Sequence, residues 1–181
     1  NTTHMVVLSQ DGDTLFTANI GSDTVSVLHR KPAGDWQITN IAVGKGPEGI
    51  DLSPTGKELW VAQSQDGGVS IIDVAAQKVT QTLALHTRRS NRLKFTPDGK
   101  LVLISDLGGG DVVVIDSATR REVKRLHVEG QPEGILMQPD GARAYVALWE
   151  DNVVAILDLA ELKLVGKIST GKGPDGMAWI R

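Results

Sequence analysis

One short segment of this chain concentrates side chains that can recognise an anion. Residues 86–92 read His-Thr-Arg-Arg-Ser-Asn-Arg. An arginine guanidinium carries a planar fork of donors that fits a carboxylate or a phosphate, and a histidine can serve as a ligand or a base near neutral pH. The predicted ligand-binding residues of this segment are His86, Arg88, Arg89, Asn91 and Arg92.

The segment stands out because it replaces a loop that is rich in glycine and proline elsewhere in the chain. The other copies read Gly-Lys-Gly-Pro-Glu-Gly at residues 44–49, Gly-Gln-Pro-Glu-Gly at 130–134 and Gly-Lys-Gly-Pro-Asp-Gly at 171–176. Two interpretations stay open. The arginines bind an anionic ligand or a cofactor carboxylate, or they pair with acidic residues of the sibling loops, such as Glu48 and Glu133.

A second candidate is the Leu-Trp-Glu-Asp sequence at residues 148–151, which occupies a place where other copies have small polar turns. An exposed tryptophan beside acidic residues can act as a recognition platform, so Trp149 and Glu150 join the predicted ligand-binding residues. The structural alternative is that Trp149 packs between neighbouring repeats.

The residue pattern gives little support for a catalytic site or a metal-binding site. The chain has no cysteine, and its histidines lack metal-ligand spacing. Carboxylates that converge at one repeat position could bind Ca²⁺, which favours oxygen ligands, but a turn signature of the repeat is the simpler interpretation. The residues at this position are His4, Glu48, Asn91, Glu133 and Asp175. We therefore predict no catalytic residue and no metal ligand, and the sequence requires no cofactor.

These candidates are positioned by a repeat that runs through the chain. Four turn sequences of the Pro-Asp-Gly type recur with a period of about 40 residues, which is typical of propellers and solenoids. Their glycines are Gly12, Gly56, Gly99 and Gly141. Each repeat holds four short strand patterns, and a large residue recurs four places after each turn glycine, as a wedge between blades requires. The wedge residues are Phe16, Trp60, Leu103 and Tyr145.

The pattern predicts an all-β fold, a β-propeller of four-stranded antiparallel blades. In a propeller, the loops that join the fourth strand to the next first strand share a face with those that join the second and third strands. Both candidate sites would then lie on one loop-rich face around the axial mouth.

The chain is expected to form a single propeller domain or a fragment of one, with a surplus first strand at its end. The predicted repeats are 5–48, 49–91, 92–133 and 134–175, followed by the extra strand 176–181. Because exposed blade faces and sheet edges are unfavourable, we expect part of a larger ring, with closure through a second copy as the alternative. A self-sufficient ring of four blades is the third possibility.

The motifs Gly-x-x-Pro-Glu-Gly-Ile, Ser-Pro-Asp-Gly-Lys-x-Leu-(Tyr/Trp)-Val-Ala and Val-x-Ile-(Ile/Leu)-Asp resemble the YVTN family of β-propeller repeats over the whole chain. The name motif is degenerate here; the nearest matches begin at Phe16 and Tyr145. The resemblance implies a bacterial or archaeal periplasmic or extracellular protein with about seven blades. It also implies kinship with propellers of quinone and haem d1 chemistry.

Composition limits the function classes. The net charge of −3 argues against nucleic acid as a partner, and no apolar run is long enough to span a membrane. The first interpretation is a non-enzymatic scaffold that binds a protein or a small anionic ligand on its loop-rich face, with a homo-oligomer also open. The alternatives are a redox or cofactor-associated propeller that holds an anionic ligand at the axial mouth, and a structural cell-surface protein.

Overall fold

A computed structural model describes residues 2–180, and within this range the regular structure is almost entirely β-strand. The chain divides into two compact units, Asn1–His86 and Thr87–Arg181. Each unit contains two four-stranded antiparallel sheets in which consecutive strands are neighbours. The predicted all-β fold of four-stranded antiparallel blades is confirmed.

The first unit holds blade 1 and blade 2. Blade 1 comprises β1 (Thr3–Leu8), β2 (Thr14–Asn19), β3 (Thr24–Arg30) and β4 (Trp36–Ala42), and blade 2 comprises β5 (Pro47–Leu52), β6 (Glu58–Gln63), β7 (Gly68–Asp73) and β8 (Lys78–Ala84). A 3₁₀ turn, Ile20–Ser22, lies between β2 and β3.

The second unit holds blade 3 and blade 4. Blade 3 comprises β9 (Ser90–Phe95), β10 (Leu101–Asp106), β11 (Asp111–Asp116) and β12 (Arg121–His127), and blade 4 comprises β13 (Pro132–Met137), β14 (Arg143–Leu148), β15 (Val153–Asp158) and β16 (Lys163–Ser169).

Blades pack through alternate residues of their strands. In the first unit, Phe16 of β2 lies in one buried cluster with Leu59 of β6 and Ile72 of β7. In the second unit, Leu103 of β10 lies in one cluster with Ala144 of β14 and Leu157 of β15. Because strand side chains alternate between the two faces of a sheet, one face of each leading blade meets the opposite face of the next. Phe16 and Leu103 thus act as the predicted wedges between the blades of their units.

The predicted extra strand 176–181 is not observed over residues 176–180, and Arg181 lies outside the described residues. Residues 174–180 form no ladder with any part of the described chain. The segment is held by side-chain contacts: the Trp179 Nε1–H donates to the carbonyl of Met137 at 2.7 Å, and the Trp179 ring meets Tyr145 edge to face at 5.6 Å. A strand needs a neighbouring backbone for its N–H and C=O groups, so the apolar sequence alone does not produce one here.

Turns of the Pro-Asp-Gly type are closed by carboxylates. The Asp98 carboxylate accepts hydrogen bonds from the Thr96 hydroxyl at 2.7 Å and from the backbone N–H of Lys100 at 3.0 Å. These bonds hold the pKa of Asp98 below its usual range. Equivalent bonds lower the pKa of Asp11, chiefly through Ser9, and of Asp140, chiefly through the backbone N–H of Ala142.

We expect the carboxylates of Asp11, Asp98 and Asp140 to make the folded state sensitive to acid. Because the folded-state pKa values are lowered, the stabilisation is complete above the unfolded-state pKa of about 4 and is lost as the pH falls through the folded values. The variant carrying Asp11→Asn, Asp98→Asn and Asp140→Asn should therefore lose less stability between pH 7 and pH 3 than the wild type, measured by urea unfolding.

Blade 2 supplies a matched control for this prediction, because Thr55 takes the place of the aspartate in its turn. Thr55→Asn removes no carboxylate and should leave the pH dependence of the unfolding free energy unchanged. An equal loss of stability in the triple variant and the wild type would contradict the account.

Candidate functional site

The arginine-bearing loop that leads into β9 is held by one buried carboxylate. Asp106, the last residue of β10, is 2% exposed. Its side chain accepts hydrogen bonds from the backbone N–H of Arg88 at 3.0 Å, of Arg89 at 2.8 Å and of Gly109 at 3.1 Å. The carboxylate therefore joins two loops of the second unit, at residues 88–89 and at Gly109. Charge-assisted bonds of this kind are stronger than neutral ones, so they hold the backbone of the arginine loop in place.

Backbone hydrogen bonds show that these two kinds of loop share an end of their blade. The Leu107 N–H donates to the Arg89 carbonyl at 3.0 Å, and the Trp149 N–H donates to the Gln131 carbonyl at 2.9 Å. In the first unit, the Ser64 N–H donates to the Gly46 carbonyl at 2.8 Å. The sequence-based expectation that both loop sets lie on one face is therefore confirmed for the blades. We call this end of blades 3 and 4 the loop face.

Three consecutive glycines follow Asp106, and close contacts explain each of them. A Cβ on Gly108 would lie 3.0 Å from the Cβ of Arg88, and one on Gly109 would lie 2.2 Å from the Asp106 carboxylate. Gly110 has φ +72°, a conformation that favours glycine. The glycine turn is therefore packed closely against the arginine loop.

Sequence reasoning missed Asp106, although a signal was present. The residue seven places after each turn glycine is Asn19, Gln63, Asp106 or Leu148. Asn19 donates to Ser26 Oγ at 2.8 Å, Gln63 donates to the Ser70 hydroxyl, and Leu148 is buried. Asp106 is the charged residue among these four, and it lies beside the arginine-bearing loop, which lacks the glycine and proline residues of the other three loops.

The structure separates the predicted arginines into two environments. Arg88 and Arg89 are exposed, whereas the side chain of Arg92 is only 12% exposed. Arg92 Nη2 lies 3.4 Å from Asp175 Oδ2 and 3.9 Å from Glu133 Oε2. For Arg92, the structure thus shows the pairing with acidic neighbours that the alternative interpretation describes.

Asn91 is a structural partner of the same ion-pair group. It is 1% exposed, its Nδ2 donates to Glu133 Oε2, and its Oδ1 accepts from Arg92 Nη1 at 3.0 Å. The structure therefore brings Asn91, Arg92, Glu133 and Asp175 together. His86, the last residue of the first unit, is exposed and has φ 54°; it lies outside the unit that carries the arginines.

Trp149 and Glu150 lie on the loop face of blade 4. Trp149 is 49% exposed, and its indole lies against Gly173, where a Cβ would come within 2.7 Å of Nε1. Glu150 Oε1 accepts a hydrogen bond from Gln131 Nε2 at 2.7 Å. With Asn152, Lys172 and Gly173, these residues line an open cleft of about 440 Å³. The indole is therefore both packed on one side and available on the other.

A second cleft of about 380 Å³ lies beside the first, and Glu150 lines both. Its floor is formed by Gly108, Gly109 and Gly110, and its walls include His127, Glu129 and Gln131. The His127 Nδ1 lies 2.9 Å from Asp111 Oδ1. Across residues 2–180, no group of three or more histidine or acidic side chains is placed to hold a metal ion.

Four-stranded antiparallel blades and a loop face define a β-propeller protein. The chain belongs to the cytochrome D1 heme domain family, whose model matches residues 3–140. It is also similar to hydrazine synthase subunit beta of Kuenenia stuttgartiensis, with 31% identity in an alignment 152 residues long that covers 69% of this chain and 39% of that protein. Antigen Lp49 of Leptospira interrogans is 33% identical over 94 residues, or 52% of this chain and 21% of that protein. The chain therefore spans less than half of either relative.

Solved structures show the same fold at low sequence identity. Hydrazine synthase of Kuenenia stuttgartiensis aligns with a TM-score of 0.65 and 20% identity, covering 96% of this chain and 76% of that chain. A protein of unknown function from Desulfotomaculum acetoxidans aligns with a TM-score of 0.83 and 15% identity, covering 95% and 57%. A putative 6-phosphogluconolactonase from Bacteroides uniformis aligns with a TM-score of 0.81 and 19% identity, covering 94% and 56%.

The family raises the question whether these residues fit a haem. A haem needs an axial donor, most often histidine, cysteine or methionine, within a pocket of suitable polarity. The chain has no cysteine, and its histidines are exposed. His127, which lines a loop-face cleft, sits above glycine backbone and beside Glu129 and Glu150 rather than between apolar walls. Met5 and Met137 pack against the two cores, and Met177, in the segment 174–180 that forms no strand, lines neither loop-face cleft. The donors of the described residues do not fit a haem.

A substitution of Asp106 tests whether its carboxylate holds the arginine loop in place. Asp106→Asn places an amide NH₂ among backbone donors and should lower the free energy of unfolding by about 1–3 kcal/mol. It should also speed hydrogen exchange of the Arg88 and Arg89 amides, as measured by NMR.

Glu161→Gln is the matched control, because it makes the same carboxylate-to-amide change at an exposed position whose side chain lies 4.0 Å from Lys163. Its effect should stay within about 0.5 kcal/mol. Unchanged exchange at both arginine amides in Asp106→Asn would show that the carboxylate does not fix the loop.

Proposed function

We propose that the chain is a non-catalytic propeller scaffold whose loop face binds a carboxylate or phosphate group of a partner protein or small ligand. Arg88 carries this proposal. Its side chain is exposed, and no carboxylate of residues 2–180 is placed in ion-pair contact with its guanidinium. A guanidinium in this setting is available to an external anion.

The loop is built so that the side chain, rather than the backbone, meets the ligand. The Arg88 and Arg89 N–H groups are both directed to Asp106, so these backbone donors are already used. The same bonds hold the loop in place before any ligand arrives. Preorganisation lowers the entropic cost of binding, because less of the loop must be ordered when the anion is bound.

Similarity to a subunit of hydrazine synthase supports a protein as the source of the anionic group. The half-exposed Trp149 supports the same choice, because tryptophan is enriched where proteins meet. No helix of the described chain is long and apolar enough to cross a membrane. A periplasmic or extracellular location is part of the proposal and rests on the resemblance to exported propellers.

A cofactor-associated role is the second candidate, and membership of the cytochrome D1 heme domain family favours it. Because the described residues do not fit a haem, this chain would serve such chemistry as a scaffold beside a cofactor-bearing partner. A structural role at the cell surface is a further proposal that follows from the resemblance alone.

Binding of two probes tests the proposal. Isothermal titration with inorganic phosphate and with an acetylated tetraglutamate peptide measures the two sources of anionic groups separately. Arg88→Ala should weaken binding of the preferred probe about tenfold, because a charge-assisted hydrogen bond contributes about 1.5–3 kcal/mol. Arg88→Lys should recover only part of the affinity, since the planar fork is lost.

Arg121→Ala is the matched control, an exposed arginine at the opposite end of blade 3 from the loop face. It should leave both affinities unchanged. If neither probe binds the wild type, or if Arg88→Ala binds as tightly as the wild type, the proposed anion site is wrong.

A further inference from the structure

The two clefts of the loop face and Arg88 form one continuous surface in the second unit. Gly108 lies next to the base of the Arg88 side chain, since a Cβ on Gly108 would come within 3.0 Å of the Arg88 Cβ, and Gly108 also lines the cleft formed by Gly108–Gly110. Glu150 lines that cleft and the cleft that contains Trp149. We call this surface the loop-face groove; it runs from Arg88 across Gly108–Gly110 to Glu150, and on to Trp149 and Lys172.

Charges of opposite sign follow each other along the groove. Arg88 adjoins the near cleft beside Gly108, Glu150 lines both clefts, and Lys172 lines the far cleft. All three are exposed. A uniformly negative ligand would meet attraction at both ends and repulsion in the middle. A chain with acidic, basic and acidic groups in that order is complementary throughout.

Two features of the groove suit a polypeptide. Gly108, Gly109 and Gly110 present only backbone atoms to the near cleft, so a ligand backbone can hydrogen-bond or pack against the loop there. Trp149 stands next to Glu150 with part of its ring exposed. A lysine or arginine side chain placed there can meet both a carboxylate and an aromatic ring, and each contact favours a cation.

The other acidic side chains near this position already have a lysine or a histidine beside them. Glu150 is therefore the principal carboxylate for this cation. Glu129 lies 3.9 Å from Lys167, and Asp151 also lies 3.9 Å from Lys167. Asp111 lies 2.9 Å from His127. Glu150 Oε1 accepts from the neutral amide of Gln131, which does not neutralise its charge.

We propose that the loop-face groove binds an extended segment of a partner protein in which a basic residue lies between two acidic residues. An acidic side chain pairs with Arg88, the basic side chain meets Glu150 and Trp149, and the second acidic side chain meets Lys172. This inference rests on the proposed function, because it gives the anionic group at Arg88 its molecular context.

Two synthetic peptides of equal length test the groove. The mixed peptide carries glutamate, lysine and glutamate separated by two, three or four Gly-Ser spacer residues, and the acidic peptide replaces its lysine with glutamate. Titration calorimetry of the full chain should show that the best mixed peptide binds at least tenfold more tightly than the acidic peptide of the same length.

Charge reversal at the centre of the groove should reverse this preference. In Glu150→Lys, the acidic peptide should bind more tightly than the mixed peptide, and Glu150→Gln should bring the two affinities close together. Glu161→Lys makes the same charge reversal at the far end of blade 4 and should retain the wild-type preference. Circular dichroism spectra and thermal unfolding of each variant confirm that the fold is intact.

The outcomes separate the groove from the anion site. Equal affinity of the wild type for both peptides, with no change in Glu150→Lys, overturns the groove even if Arg88→Ala still weakens the acidic peptide. If Arg88→Ala weakens neither peptide, the proposed function itself fails. A wild-type preference that Glu150→Lys reverses and Glu161→Lys does not supports the groove.

Discussion

The Asp106 carboxylate is the interaction on which the candidate site depends. A buried charge is costly unless its lone pairs are satisfied, and here backbone N–H groups from two loops satisfy them. The same contacts require glycine at position 109 and remove the backbone donors of Arg88 and Arg89 from competition for a ligand. One side chain therefore determines the loop's course, its rigidity and the kind of donor that it offers.

The packing of the blades explains why the loop sequence of one blade can differ while the blades still pack in the same way. Each unit packs the wedge residue of its leading blade against alternate residues of the next, and this apolar pattern recurs with the repeat. Because blade packing uses the faces of the strands, the loops at their ends are free to vary. The substitution of Gly-Pro by an arginine sequence in one loop is of this kind.

Much of the fold could be predicted from the sequence because turn and strand patterns recur with each repeat. The four-stranded blades and the wedge positions of Phe16 and Leu103 follow from that register. The segment at 176–180 has the same apolar pattern but forms no strand, since pairing depends on a neighbour that local sequence does not describe. The site was harder to predict for a similar reason. Arg88 and Arg92 have the same side chain, and only tertiary contacts with Glu133 and Asp175 distinguish the paired arginine from the exposed one.

Chemical-shift mapping of the backbone amides during titration with the acidic peptide and with phosphate locates the anion-binding surface. We expect the largest shifts at residues 87–89 and 107–110, which Asp106 joins, and we expect them to vanish in Arg88→Ala while the rest of the spectrum is retained. Shifts that cluster elsewhere, or that persist in Arg88→Ala, would contradict the assignment of the loop face as the binding surface.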